Sequence, residues 1–432
     1  MLIRFEASNF RSIADPVELS MVAVDRDRPE ARDQPMIGES LLPVTAIYGA
    51  NASGKSNVIA AFEWLRDAVS SSLRLWEDEI PIEPFAFADG PTKPSSFNLE
   101  LLIDGVRFEY VVSLTNKKVV YEGLFHYPEK RPRRIFERDE ADFKIQRGLG
   151  GISGTRELLT DQTLALSVAR RFSEPLVDQF ARMLLQTQIL GTALRQQRSR
   201  FARLRRQPFR STMQVFEDRE QLSLYGSDEP TNALDPYVQT RKQALALLKL
   251  ADLGIDDVLI EREELPLGPG SGGETYTARK VRLIHRSSGG PTPLDFGVES
   301  EGTRTWFNLI APTLNALQSG TILLFDELDA SLHPTLSAQL LRLFHSPATN
   351  PRGAQLIFTS HDTSLLNHLN RDEVWLTSKS QGGSTRLGAL AEFAGERVRK
   401  SQNLENAYLH GRFGALPDVD QAEFLRALGL IG

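Results

Sequence analysis

The stretch Gly49-Ala50-Asn51-Ala52-Ser53-Gly54-Lys55-Ser56 decides how the rest of this chain is read. It matches G-x-x-x-x-G-K-[ST] at every fixed position. Upstream, Val44 to Tyr48 is a short β-branched and aromatic run, the profile of a buried strand. Downstream, Val58, Ile59, Phe62, Leu65 and Val69 recur at helical spacing. Strand, glycine loop and helix together form a cradle for phosphate. Gly49 and Gly54 let backbone N–H groups turn toward an anion, and the helix N-terminus adds partial positive charge. Asn51, Ala52, Ser53 and Asn57 complete the candidate nucleotide-binding set. Lys55 is expected to reach the β- and γ-phosphates of ATP, and the Ser56 hydroxyl to ligate Mg²⁺.

A second stretch completes the chemistry. Thr321-Ile322-Leu323-Leu324-Phe325 is an apolar run ending in Asp326-Glu327. A parallel strand buried on both faces explains the run, and the acids then sit at its carboxyl end, where open α/β sheets bind ligands. Asp326 is the candidate Mg²⁺ holder through water, and Glu327 the candidate general base that polarises the attacking water.

Composition bounds the rest. The chain has 432 residues, enough for more than one lobe, with 41% apolar and 25% charged residues, ordinary globular usage. A net charge of −6 means that any nucleic-acid contact must come from a local patch. The absence of cysteine excludes disulfides, thiol catalysis and cysteine zinc sites, and it suits a reducing, cytoplasmic setting. The start carries Arg4, Glu6 and Arg11 without a long apolar core, so no signal peptide is expected. No run of about 18 apolar residues exists, so no membrane contact is expected.

Along the chain, Leu2 to Phe10 and Val17 to Val24 read as strands. Asp25 to Ser40, with Pro29, Pro35 and Gly38, reads as a loop or long hairpin tip. Phe97–Ile103, Val106–Leu114, Lys118–Tyr127 and Arg134–Glu137 read as an antiparallel meander broken at Asp104-Gly105 and Asn116-Lys117. From about Thr160 the pattern turns helical. Between Asp178 and Glu217 there is no acid, yet eight arginines fall there, Arg182, Arg195, Arg198, Arg200, Arg203, Arg205, Arg206 and Arg210. Asn232 to Asp252 reads as a further helix. We divide the chain into residues 1–155, a helical insertion at 156–254 standing off the nucleotide-binding sheet, and residues 255–432. In the last part, Val281–His285, Thr321–Phe325, Gln355–Thr359 and Glu373–Thr377 read as strands, and Thr303–Ser319, Leu336–Phe344 and Asp420–Leu428 as helices.

Asp326-Glu327-Leu328-Asp329-Ala330-Ser331-Leu332-His333-Pro334 resembles the Walker B and D-loop of ABC-type ATPases. Thr359-Ser360-His361-Asp362, at the end of the next apolar strand, is similar to their switch-histidine segment. Glu299-Ser300-Glu301-Gly302-Thr303-Arg304, before the helix that leads to the acids, resembles a reduced form of their signature loop. The opening Phe5-x-x-x-Asn9-Phe10-Arg11-Ser12 resembles the SMC/RecF/OLD branch. Pro84-Phe85, the ESEGT loop and Tyr408-Leu409-x-Gly411-Arg412-Phe413-Gly414-Ala415 are similar to the AAA-labelled stand-alone prokaryotic group of that branch, as in the PARIS defence system.

The resemblance implies an α/β fold: an ABC-type P-loop ATPase head with an antiparallel β subdomain and a helical insertion. It implies that His361 bonds the γ-phosphate and attacking water, that Arg11 approaches the phosphates, and that Ser300, Gly302 and Asp329 act from a partner copy. ATP then joins a head-to-tail dimer. The Q-loop glutamine is not assigned by these motifs; Gln162 is one candidate. The resemblance also implies a homo-oligomer that scaffolds a nuclease or toxin effector in an antiphage defence or toxin–antitoxin module. The alternative is a RecF-like DNA-repair ATPase that contacts DNA through Arg182–Arg210, where loss of arginines would lower the salt slope of binding. Only 71 residues follow His361, short for a Toprim domain, so no nuclease activity is expected in this chain.

Overall fold

A computed structural model describes residues 1–191, 211–217, 236–266, 275–330, 332–393 and 404–409. Arg195 to Arg210, the glycine-rich 267–274 segment, Ser331, Gly411 to Ala415 and the helix expected at 420–428 lie outside the described residues.

The chain opens with β1 (Leu2–Ser8) and β2 (Val17–Ser20), then a small hairpin, β3 (Arg32–Gln34) and β4 (Glu39–Leu41). β5 (Val44–Gly49) leads through the glycine loop into α1 (Lys55–Leu75). The meander follows as β6 (Ser95–Ile103), β7 (Val106–Leu114), β8 (Val119–Tyr127), β9 (Arg133–Asp139) and β10 (Asp142–Ile145). Next come α2 (Thr155–Leu158), α3 (Ala165–Ala169), α4 (Pro175–Leu185) and β11 (Gln188–Gly191). Then α5 (Thr212–Phe216) and α6 (Pro236–Ala251) precede β12 (Ile255–Pro266), β13 (Thr275–Ser287) and β14 (Gly290–Asp295). The last part holds α7 (Glu301–Ser319), β15 (Ile322–Asp326), α8 (Pro334–His345), β16 (Gln355–Thr359), β17 (Val374–Lys379), β18 (Thr385–Ala389), α9 (Leu390–Phe393) and α10 (Leu404–Leu409).

Two large sheets organise these elements. The antiparallel sheet runs β10-β9-β8-β7-β6-β1-β2, so the opening strands join the meander. The other sheet runs β11-β15-β16-β5-β17-β18, with every pairing parallel except β17–β18. Its middle strands are buried at every position, which is why they read as unbroken apolar runs. Alternate residues enter two different cores. Ile322, Leu324, Ile47 and Ile357 face α1 and the antiparallel sheet. Leu323, Phe325, Tyr48 and Phe358 face α7 and α8. The result is three layers with the carboxyl ends of β5, β15 and β16 opening at one edge.

The reading of 156–254 as one helical insertion off the sheet needs correcting. α2 already begins at Thr155, and the described part up to Gly191 belongs to the head. Phe180 on α4 packs against Phe108 and Tyr110 of the meander, and α3 is tied to it through Glu122. β11 then enters the parallel sheet, pairing Gln188 to Gly191 with Leu323 to Asp326. Residues 255–295 also differ from expectation: they form a separate sheet, β12-β13-β14, with cross-strand ion pairs such as Arg282–Glu261 and Arg282–Asp295.

Candidate functional site

The glycine loop is fixed from below by hydroxyl groups. Gly54 has φ 107° and Gly49 φ 149°, and a Cβ at Gly54 would stand 2.0 Å from the Thr385 Oγ1 atom. Both glycines are therefore required by conformation and by close approach. The Thr385 hydroxyl donates to the Ser53 carbonyl at 2.9 Å and lies 2.7 Å from the Ser12 hydroxyl. The Asn57 side-chain amide donates to the Ser12 hydroxyl at 2.6 Å. The Ser53 hydroxyl meets Thr377 Oγ1 at 2.6 Å, and Thr377 donates to the Tyr48 carbonyl. Asn51 and Ala52 form the exposed rim, with Ala52 at φ 61°.

Lys55 is buried and donates to the carbonyls of Gly49 at 2.9 Å and Ala50 at 3.1 Å. Burial pushes its ammonium below the ordinary lysine value, while Asp329, Asp326 and Glu327 pull it back up. The lysine and the acids therefore share one electrostatic environment.

Asp326 is fully buried at the end of β15. Its Oδ1 accepts from the Ser56 hydroxyl at 2.9 Å and from the Thr359 hydroxyl at 2.7 Å. Thr359 in turn accepts the Glu327 backbone N–H at 2.7 Å, and Glu327 sits at φ 58°, in the left-handed region. Burial pushes the Asp326 carboxyl above the usual carboxylate range, against the hydrogen bonds from Thr359 and Ser56. The backbone N–H of exposed His361 donates to Asp329 Oδ1 at 3.1 Å. Asp329, expected to act from a partner copy, thus also braces the switch-histidine segment of its own chain.

The other assigned residues fall as follows. Ser300 caps α7, accepting from the Thr303 N–H at 3.1 Å, and adjacent Glu299 lies 2.8 Å from His285 Nε2. Among the described residues a Cβ at Gly302 would meet nothing closer than Ser300 Oγ at 3.9 Å, so no neighbour there requires a glycine. Among the described residues no hydrogen bond links Ser300 or Gly302 to the phosphate loop. Arg11 pairs with Glu83 at 3.1 Å; its neighbour Ser12 is the residue bonded to the loop. Gln162 lies in a bend beside the meander, where the Asp161 carbonyl accepts from the Val119 N–H.

The family model described as "AAA domain, putative AbiEii toxin, Type IV TA system" matches residues 44–175 and 195–367, more than half of the chain. The chain belongs to that family. Among solved structures it is similar to an SMC head bound to the C-terminal winged-helix domain of ScpA, 12% identical over 90% of this chain and 97% of that one, with a TM-score of 0.46. It is also similar to the SMC head domain from Thermotoga maritima, 13% identical over 90% and 98%, with a TM-score of 0.39. No curated protein matches.

In this AAA family member the donor set at β15 fits a divalent cation. Asp326 Oδ2 is buried and has no hydrogen-bond partner among the described residues, beside the Ser56 hydroxyl. An unpaired buried carboxylate oxygen next to a hydroxyl is a hard-oxygen site of the kind Mg²⁺ takes. Thr385 and Thr377 carry no sequence signal, and Thr359 and Ser12 fall inside quoted motifs without a role of their own, because a hydroxyl residue carries no pattern by itself. Tyr408 was part of a quoted motif, and it lies edge-on to Tyr48 at 6.0 Å beneath the loop.

Proposed function

We propose that this chain binds and hydrolyses Mg-ATP at a site completed by a second copy. The observation that supports this most is the meeting of Lys55 and Ser56 with Asp326 at the carboxyl ends of the parallel strands β5 and β15, which flank β16. Ser56 and Asp326 would hold Mg²⁺, which when bound neutralises phosphate charge. Lys55 would turn from the loop carbonyls to the β- and γ-phosphates. Glu327, on a backbone held by Thr359, is the general base. His361 and the loop N–H groups meet charge that develops on the γ-phosphate.

Gly302 and Ser300 supply the partner's contribution. Open space around Gly302, at the α7 N-terminus that Ser300 caps, suits an anion brought by another copy. ATP then acts as the joint of a head-to-tail dimer. The family description supports placing this switch in a toxin–antitoxin module. A role in phage defence and a separate nuclease or toxin subunit that acts on the target are further parts of the proposal. The mass of the Glu327→Gln chain with Mg-ATP tests the composite site.

A further inference from the structure

β15 and β16 end in Asp326 and Thr359, with Glu327 directly after β15, and lie on one side of β5; β17 and β18 lie on the other. With the γ-phosphate beside the acids, as proposed above, ribose and base would run out toward β17 and β18.

On that flank the loop touches Thr385, and the Thr385 N–H donates to the Ser12 carbonyl at 2.7 Å. The Arg11 N–H donates to the Glu83 carbonyl at 2.7 Å, which brings in the connection between α1 and β6. This connection presents Phe87. Its side chain is 62% exposed, the one aromatic among the strongly exposed large hydrophobic side chains of the described residues. A Cβ on Gly383, two positions before Thr385, would stand 3.4 Å from the Phe87 ring.

The ring is held in place. Phe87 opens a turn closed by the Gly90 N–H on its carbonyl at 3.1 Å, with Ala88 at φ 52°. The Asn9 side chain donates to the Gly90 carbonyl at 2.9 Å and the Lys93 carbonyl at 2.8 Å, and accepts the Phe85 N–H at 3.1 Å. Phe85 is buried and meets the Phe87 ring edge-on, with centroids 5.4 Å apart. A preordered π-face open to solvent beside the exit of a phosphate loop is a stacking platform, and it loses little freedom when a base covers it.

We propose that Phe87 stacks on the nucleobase of the bound nucleotide and supplies the base-dependent part of its affinity. This rests on the phosphate-loop reading above. Stacking alone accepts any base, so the ring selects nucleotides over bare polyphosphate rather than one base over another. The test is calorimetric titration of the full chain, in Mg²⁺, with ATP and with inorganic tripolyphosphate. Phe87→Ala should weaken ATP about tenfold, the loss expected for one stacked base, and leave tripolyphosphate unchanged. Phe87→Trp should bind ATP as the parent does, with its indole fluorescence altered by ATP and not by tripolyphosphate. An unchanged ATP affinity in Phe87→Ala overturns the proposal and leaves the phosphate-loop reading standing, as would befit a ring that docks a protein partner. Equal weakening of both ligands also overturns it, by giving Phe87 a role only in loop folding. If the parent chain binds neither ligand, both readings fall together.

Discussion

The Ser56 hydroxyl donates to Asp326 Oδ1 at 2.9 Å across 270 residues of sequence. That bond joins the glycine loop to the acid strand, and among the described residues Asp326 Oδ2 is buried without a partner. Asp326→Asn keeps the accepting oxygen and removes the charge that burial disfavours. The ligand-free variant should stay within about 1 kcal/mol of the parent in stability. Its thermal shift with Mg-ATP should vanish, and hydrolysis should drop on the order of a hundredfold or more. Differential scanning calorimetry with and without Mg-ATP, alongside a phosphate-release assay, reads all three.

Thr359 is the pivot between the two acids, donating to Asp326 at 2.7 Å and accepting from the Glu327 N–H at 2.7 Å. Thr359→Val has nearly the same shape and loses both bonds. Turnover should fall roughly tenfold or more while ATP affinity changes less, because a misplaced general base affects the chemical step. Steady-state kinetics that show an unchanged turnover would remove Thr359 from this role.

Gly302 tests the partner side separately. Asp at the second position of α7 suits the helix N-terminus, so Gly302→Asp should fold normally. It also puts negative charge where the partner's γ-phosphate is expected. Nucleotide binding by the monomer should be intact and ATP-dependent pairing lost, as measured by calorimetry and light scattering on the same sample.

Glu122 carries the tie between meander and α3. It is buried and accepts from the Ala165 N–H at 2.6 Å, the Leu166 N–H at 2.8 Å and the Tyr110 hydroxyl at 2.8 Å. Burial still pushes its carboxyl above the ordinary value. A raised folded pKa means the group's contribution is full below the ordinary glutamate value of roughly 4.3 and declines as pH rises through the folded value. Glu122→Gln cannot ionise and opposes one N–H with its own amide, a cost of about 1–2 kcal/mol. The variant should therefore melt below the parent at acid pH, and the gap should narrow as pH rises. Thermal midpoints across that range check the sign.

Much of the site could be read from the chain because its parts are local. Gly49 to Ser56 is a fixed spacing, and Thr321 to Glu327 is an apolar run ended by acids. Both patterns are imposed by the elements that carry them. β11 could not be read: Gln188 to Gly191 is too short for periodicity, and its partner strand begins far downstream at Ile322. β12 carries Glu261-Arg262-Glu263-Glu264 near its end, which lacks the apolar alternation that marks a core strand, and within β13 only Val281 to His285 carries it. The chain from the Ser12 hydroxyl through the Thr385 hydroxyl to the Ser53 carbonyl is a product of folding alone, since it joins residues of three distant segments. Asp329 shows the limit of a motif: the role expected of it lies across a dimer, while here it accepts the His361 N–H of its own chain.

We propose that ATP joins two copies and that Glu327 drives their release. Light scattering of the Glu327→Gln chain in Mg-ATP reads both. A stable dimer should form with ATP and not with ADP, and should turn over at least about a hundredfold more slowly than the parent. A Glu327→Gln chain that remains monomeric in Mg-ATP and hydrolyses it at the parental rate would contradict it.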